Sequence, residues 1–275
     1  MKTECNVCPH RCKLSEGQLG FCRGRICRNG KVISENYGRI TSIALDPIEK
    51  KPLYHFFPGR KILSVGSYGC NLRCLWCQNH EISMVKGTEI DYGNITVEDL
   101  VNQACELTGR GNIGIAYTYN EPLIGYEFVK DCSTYAKERG LKNVVVTAGY
   151  ICEEPLKELL PLVDAFNIDL KGFSEDLYKK IKGDLDTVKN TIELAAAYSH
   201  VEVTTLIIPG ENDTDEEIEA LSDWLASINS DIPLHISRFF PRWRMYDKEA
   251  TPVETVYRLA TLARKRLKHV YEGNC

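Results

Sequence analysis

Lys61-Ile62-Leu63-Ser64-Val65-Gly66 reads as a buried strand, and it runs almost directly into Gly69-Cys70-Asn71-Leu72-Arg73-Cys74-Leu75-Trp76-Cys77-Gln78-Asn79-His80. Spacings of three and two residues between Cys70, Cys74 and Cys77 let one loop bring three thiolates onto a single group. Soft thiolates select iron-sulfur clusters or zinc over hard cations. A four-iron cubane needs four ligands, so three local cysteines leave one iron open. A structural zinc site is the plainer reading, with His80 as a fourth ligand. A disulfide fits less well, because three cysteines do not pair evenly. Met1-Lys2-Thr3-Glu4-Cys5 lacks a basic segment followed by an apolar run, so the sequence predicts a cytoplasmic, reduced protein without a signal peptide.

From residue 61 onward, strand-like runs alternate with amphipathic stretches, the pattern of a parallel sheet wrapped by helices. Strands are expected near residues 61–66, 113–118, 143–147, 164–170, 201–208 and 234–238, with a short closing strand at His269-Val270-Tyr271. The fold class is therefore α/β, a partial six-unit (β/α) barrel related to the TIM barrel. Residues 1–58 form a cysteine-rich segment with a connector, and 59–275 form the barrel. Thr96 with Asp99, and Asp213 with Glu216, resemble capping boxes at helix starts. Ile218, Leu221, Leu225 and Ile228 recur at helical spacing, which makes Trp224 a core residue. The acidic run Glu211 to Glu217 suits the positive end of a helix dipole without a metal. In parallel α/β barrels the chemistry gathers at the carboxyl ends of the strands. The three-cysteine loop occupies such a position.

The chain has 275 residues, 12 of them cysteine, and a formal net charge of -4. That balance argues against a broad nucleic-acid footprint, and no apolar run approaches a membrane span. Cys5, Cys8, Cys12 and Cys22, with two, three and nine residues between them and Cys27 following, read as a second metal knuckle holding zinc or an auxiliary iron-sulfur cluster. Haem attachment fails because Pro9 separates Cys8 from His10. Cys105 and Cys132 fall on predicted helices as small apolar residues, and Cys152 has no assigned role. Gly109-Arg110-Gly111-Asn112-Ile113-Gly114 spells a dinucleotide fingerprint but ends a helix and enters a strand, so it reads as a turn.

Cys70-Asn71-Leu72-Arg73-Cys74-Leu75-Trp76-Cys77 resembles the signature loop of radical S-adenosylmethionine (SAM) enzymes, and the strand ends Thr118-Tyr119-Asn120-Glu121-Pro122, Asp169-Leu170-Lys171-Gly172 and Ile208-Pro209-Gly210 resemble their activating-enzyme branch. More narrowly, Pro47 to Phe56, Gln78-Asn79, Tyr117 to Pro122 and His235-Ile236-Ser237-Arg238-Phe239 look like the radical enzyme of the AmmeMemoRadiSam system. The resemblance implies a [4Fe-4S] cluster on Cys70, Cys74 and Cys77, with SAM chelating its fourth iron and yielding a 5'-deoxyadenosyl radical. It also implies that Asn120 and Glu121 bind the methionine ammonium, that Trp76 lies against adenine, and that Thr147, Asp169, Lys171 and His235 line the cofactor. Arg238 and Arg244 become candidates for a substrate anion. An electron donor such as ferredoxin or flavodoxin and AMMECR1-like and Memo-like proteins are the implied partners. Where glycyl-radical activases show Asp-Thr-Asn-Gly, this chain has Val146-Thr147-Ala148-Gly149, so an activase is the alternative reading. A non-catalytic zinc-binding adaptor is the alternative of another class.

Overall fold

The computed structural model describes residues 2–275. One eight-stranded sheet dominates, with strands β1 (Ser42–Pro47), β2 (Lys61–Gly66), β3 (Asn112–Tyr117), β4 (Lys142–Thr147), β5 (Ala165–Asp169), β6 (His200–Ile207), β7 (Leu234–Arg238) and β8 (Val270–Gly273) side by side in chain order. Every neighbouring pair from β2 to β8 is parallel, while β1 runs antiparallel to β2. The expected strands are all present. The sheet begins earlier than expected, because β1 lies inside the segment read as connector.

Helices α1 (Val97–Glu106), α2 (Tyr126–Glu138), α3 (Glu153–Leu159), α4 (Glu175–Lys180), α5 (Leu185–Tyr198), α6 (Asp215–Asn229) and α7 (Val253–Ala263) connect the parallel strands. Strand alternation divides the sheet into two faces. Leu63, Val65, Ile115, Val145, Phe166, Val203 and Ile236 share one core with the helices. Ile62, Ala116, Val144 and Ala165 alternate with these and form a second core with Ile48, Leu53 and Phe56. The segment between β1 and β2 is thus a plug seated against the inner face of the sheet. Burying each of these large side chains stabilises the plug by roughly 1.5–3 kcal/mol.

Polar latches fix it. Glu202 of β6, fully buried, accepts from the backbone amides of Tyr54 (3.0 Å) and His55 (2.7 Å). Asn167 of β5 donates to the Pro52 carbonyl at 2.9 Å. His55 Nε2 meets the Tyr271 hydroxyl at 2.6 Å, so the plug also grips the last strand.

Thr96 caps α1, its hydroxyl accepting from the Asp99 amide at 3.1 Å. The cap of α6 is Thr214, which accepts from Glu217 at 3.2 Å, and not Asp213. Asp213 instead accepts from Gly210 in the preceding turn. Two adjacent residues with capping side chains gave the sequence pattern two solutions, and the turn geometry selected the second. Gly111, at φ 89°, ends the turn after α1, so the Gly109–Gly114 run is a helix stop entering β3.

Candidate active site at the carboxyl end of the sheet

The cysteine loop leaves β2 and is tied down by Asn120, which follows β3. The Ser67 amide donates to Asn120 Oδ1 at 2.9 Å, and Asn120 Nδ2 donates to the carbonyls of Tyr68 (3.2 Å) and Gly69 (3.1 Å). Gly69 has φ 88°, and a Cβ there would stand 2.5 Å from the Cys22 carbonyl oxygen, so both conformation and space demand glycine. Farther along, Asn71 Nδ2 donates to the Tyr150 carbonyl (2.6 Å) and Asn79 Nδ2 to the Tyr119 carbonyl (2.7 Å). Arg73 braces the loop internally by donating to the carbonyls of Cys70 and Leu72.

Cys74 is buried, and Cys70 and Cys77 are half-buried. The three sulfurs are close enough that each anion opposes ionisation of another. Burial pushes the Cys74 thiol up to about 12, against the pull of the Lys171 ammonium. The Leu72 amide donates to the Cys70 sulfur at 3.4 Å. Among the described residues, no group of three or more His, Cys, Asp or Glu side chains is gathered tightly enough to hold a single metal ion. A cubane differs, because each thiolate binds a different iron and the sulfurs stand farther apart.

Asp169 closes β5, and Lys171 follows it. The two side chains form an ion pair through Asp169 Oδ2. Burial disfavours the Lys171 ammonium, but Asp169 and the thiolates of Cys74 and Cys77 outweigh burial and raise it above its ordinary value. The other carboxylate oxygen, Asp169 Oδ1, is buried and has no hydrogen-bond partner among the described residues. An unpaired buried acceptor is costly, so this atom suits a ligand that brings a donor such as an ammonium or hydroxyl group.

The remaining expected residues divide. Glu121 is buried and accepts from the Thr147 hydroxyl (2.6 Å) and the amides of Ala148 (2.8 Å) and Leu123 (3.0 Å). Asn120, Glu121 and Thr147 therefore serve each other and the loop framework. Trp76 is buried in the same core cluster as Cys74, with Cys70 and Cys77 packed against it. His235 stands apart from the loop. It lies near the start of β7, buried, with Nε2 2.7 Å from Glu202 Oε2 and its ring against Tyr54. Glu202 commits it to the plug. Arg238 donates to the Thr251 carbonyl at 2.6 Å, while Arg244 donates its amide to Leu75 of the cysteine loop at 3.1 Å.

Sequence reasoning missed Tyr119, whose φ of 72° is rare for a non-glycine residue. Its hydroxyl donates to Asp46 at 2.7 Å, where Lys51 also binds at 2.8 Å, and Gly66 leaves room for its ring. Only the residue's place after a strand end hinted at this. Trp243, stacked on His80, was missed too.

These features define a parallel α/β sheet with a thiolate loop and a buried charged pair at its carboxyl end. Residues 64–225 match the model of the radical SAM superfamily, and the chain belongs to that superfamily. It is 44% identical over 278 residues to an uncharacterized protein of Methanocaldococcus jannaschii, covering 99% of this chain and 81% of that one. It is 25% identical over 163 residues to the pyruvate formate-lyase 1-activating enzyme of Escherichia coli K12, which spans 57% of this chain and 65% of that enzyme. Among solved structures, a radical SAM methyltransferase from Sphaerobacter thermophilus superposes with a TM-score of 0.60 at 19% identity, over 79% of this chain and 67% of that one. Streptococcus suis SuiB bound to S-adenosylmethionine gives 0.61 at 12% identity, over 78% and 52%. The protein is a radical SAM enzyme, its cofactors are a [4Fe-4S] cluster and SAM, and its chemistry is radical cleavage of SAM. Enzyme membership overturns the adaptor reading. Among the described residues no helix is long and apolar enough to cross a membrane.

Proposed function

We propose that Cys70, Cys74 and Cys77 hold the [4Fe-4S] cluster and that Asp169 and Lys171 bind SAM beside it. The observation that carries this reading is the unpaired Asp169 Oδ1, buried next to a lysine whose charge is felt by two of the three cysteines. The bound cluster and SAM supply, on one-electron reduction by a donor of the ferredoxin or flavodoxin class, a 5'-deoxyadenosyl radical that abstracts hydrogen from a substrate. The chain's own residues orient and shelter. Asp169 accepts from the ammonium or ribose hydroxyls, and Lys171 balances negative charge on the thiolate side. Asn120 holds the loop that presents the cysteines, Glu121 and Thr147 brace the neighbouring strand ends, and the plug keeps water from the inner face. Work alongside AMMECR1-like and Memo-like proteins, as in the AmmeMemoRadiSam system, is the narrower form of the proposal. It is supported by likeness along Pro47 to Phe56 and Tyr117 to Pro122.

The test is 5'-deoxyadenosine formation from SAM by anaerobically reconstituted, dithionite-reduced protein. Cys74→Ala is expected to abolish it. Product formed equally by the variant refutes the assignment of the loop.

A further inference from the structure

The N-terminal cysteines do not form a separate appendage; they are docked on the back of the catalytic loop. The Cys70 amide donates to the Cys22 carbonyl at 3.1 Å, so one hydrogen bond joins a cysteine of each set. His10 Nε2 meets the Asn71 carbonyl at 2.8 Å. The Arg73 guanidinium donates to the Phe21 carbonyl and lies 3.8 Å from the Phe21 ring centroid.

The backbone brings the four cysteines together: the Arg11 amide turns back onto the Cys8 carbonyl at 3.1 Å between Cys5 and Cys12, and Phe21, beside Cys22, donates its amide to the Cys12 sulfur at 3.4 Å. Cys5, Cys8 and Cys22 are buried, and the Cys5 amide closes the turn onto the Cys12 carbonyl at 2.9 Å.

Charge supplies an independent observation. The first 34 residues carry seven basic and two acidic side chains in a chain whose net charge is -4. Lys2, Arg11, Lys13, Arg28 and Lys31 are exposed, with Arg28 paired to Glu35 at 2.8 Å and Lys13 to Glu4 at 4.0 Å, and Phe21, next to Cys22, is exposed as well. A basic surface on an acidic protein draws in an acidic partner.

We infer that Cys5, Cys8, Cys12 and Cys22 hold a second iron-sulfur cluster, and that this cluster is the port through which an acidic one-electron donor reduces the catalytic cluster. The inference rests on the proposed assignment of Cys70, Cys74 and Cys77. The donor is oxidised by one electron, and the N-terminal cluster is reduced and then reoxidised as it reduces the catalytic cluster. No bond to the donor forms, and that electron cleaves SAM. The path runs from Cys22 through its carbonyl and one hydrogen bond into the backbone of Cys70.

The experiment compares anaerobically reconstituted full-length protein with a Cys8→Ala/Cys12→Ala variant and a Cys70/Cys74/Cys77 triple alanine variant, by metal analysis and electron paramagnetic resonance. The expectation is about eight irons per chain in the wild type and about four in each variant. Reduced wild type should show two signals broadened by mutual coupling. The Cys8/Cys12 variant should keep one sharp signal that shifts with SAM, and the triple variant one that does not. Cys12→Ser, at a half-exposed site, repeats the test if the double variant misfolds. About one zinc per chain in the N-terminal set, iron unchanged by its substitution, or uncoupled signals would overturn the inference. Iron unchanged in the triple variant would instead overturn the catalytic assignment alone.

Discussion

Replacing Glu202 tests whether the plug is latched as the structure indicates. The carboxylate is fully buried and accepts from Tyr54 N, His55 N, His200 Nε2 (2.9 Å) and His235 Nε2 (2.7 Å). Burial alone would raise its pKa, but His200, His235 and the two amides hold it down at about 2, against an ordinary 4.5. Each unit is worth about 1.4 kcal/mol, so the ionised latch contributes on the order of 3 kcal/mol at neutral pH. Because the folded value is depressed, that stability is complete above about pH 4.5 and is lost as pH falls through about 2. Glu202→Gln keeps the volume but cannot match four donors, and it should forfeit most of this. At roughly 2–3 °C per kcal/mol in a chain this long, the thermal midpoint at pH 7 should fall by about 6–9 °C. The assay is circular dichroism on anaerobic holoenzyme at matched cluster content, repeated at descending pH. The gap between variant and wild type should narrow below about pH 4.5. A fall of less than about 2 °C at pH 7, or a gap indifferent to pH, would refute the latch.

Three further outcomes follow from the site. Asp169→Asn should weaken SAM binding about 10- to 100-fold in equilibrium dialysis, because hydrogen bonds to charged groups are worth about 1.5–3 kcal/mol, while leaving iron content unchanged. Gly69→Ala sets a methyl against the Cys22 carbonyl at a left-handed φ, and the expected result is a reconstituted protein with less iron at both cysteine sets. Arg11→Glu/Lys13→Glu should slow reduction by a ferredoxin, remove its salt dependence, and leave reduction by dithionite unaffected.

The parallel strands were legible because each is a short apolar run bounded by turns, and Ile62-Leu63 or Phe166-Ile168 need no partner to declare themselves. β1 was not, since Ser42–Pro47 is half-exposed and lacks clear alternation. The cysteine loop was legible from spacing, while Asp169 and Lys171 entered through the family resemblance of the strand end Asp169-Leu170-Lys171-Gly172. Spacing could not reveal that Cys22 touches Gly69 and Cys70, because that contact depends on how the N-terminal segment folds back. The latch on His235 was hidden for a related reason. A histidine on an inner strand face looks alike at either end of the strand, and Glu202, its partner, sits on a different strand.

The sheet runs from β1 to β8 without a ladder joining those two edges. Tyr54 and His55 reach Tyr271 from the plug instead, while Lys51 reaches Asp46 on the opposite edge. A barrel sealed by backbone hydrogen bonds has a circumference set by strand number and register. Here a few rotamers set it. Substitutions confined to residues 51–55 would therefore loosen one edge of the sheet from the other while leaving every backbone ladder between neighbouring strands intact.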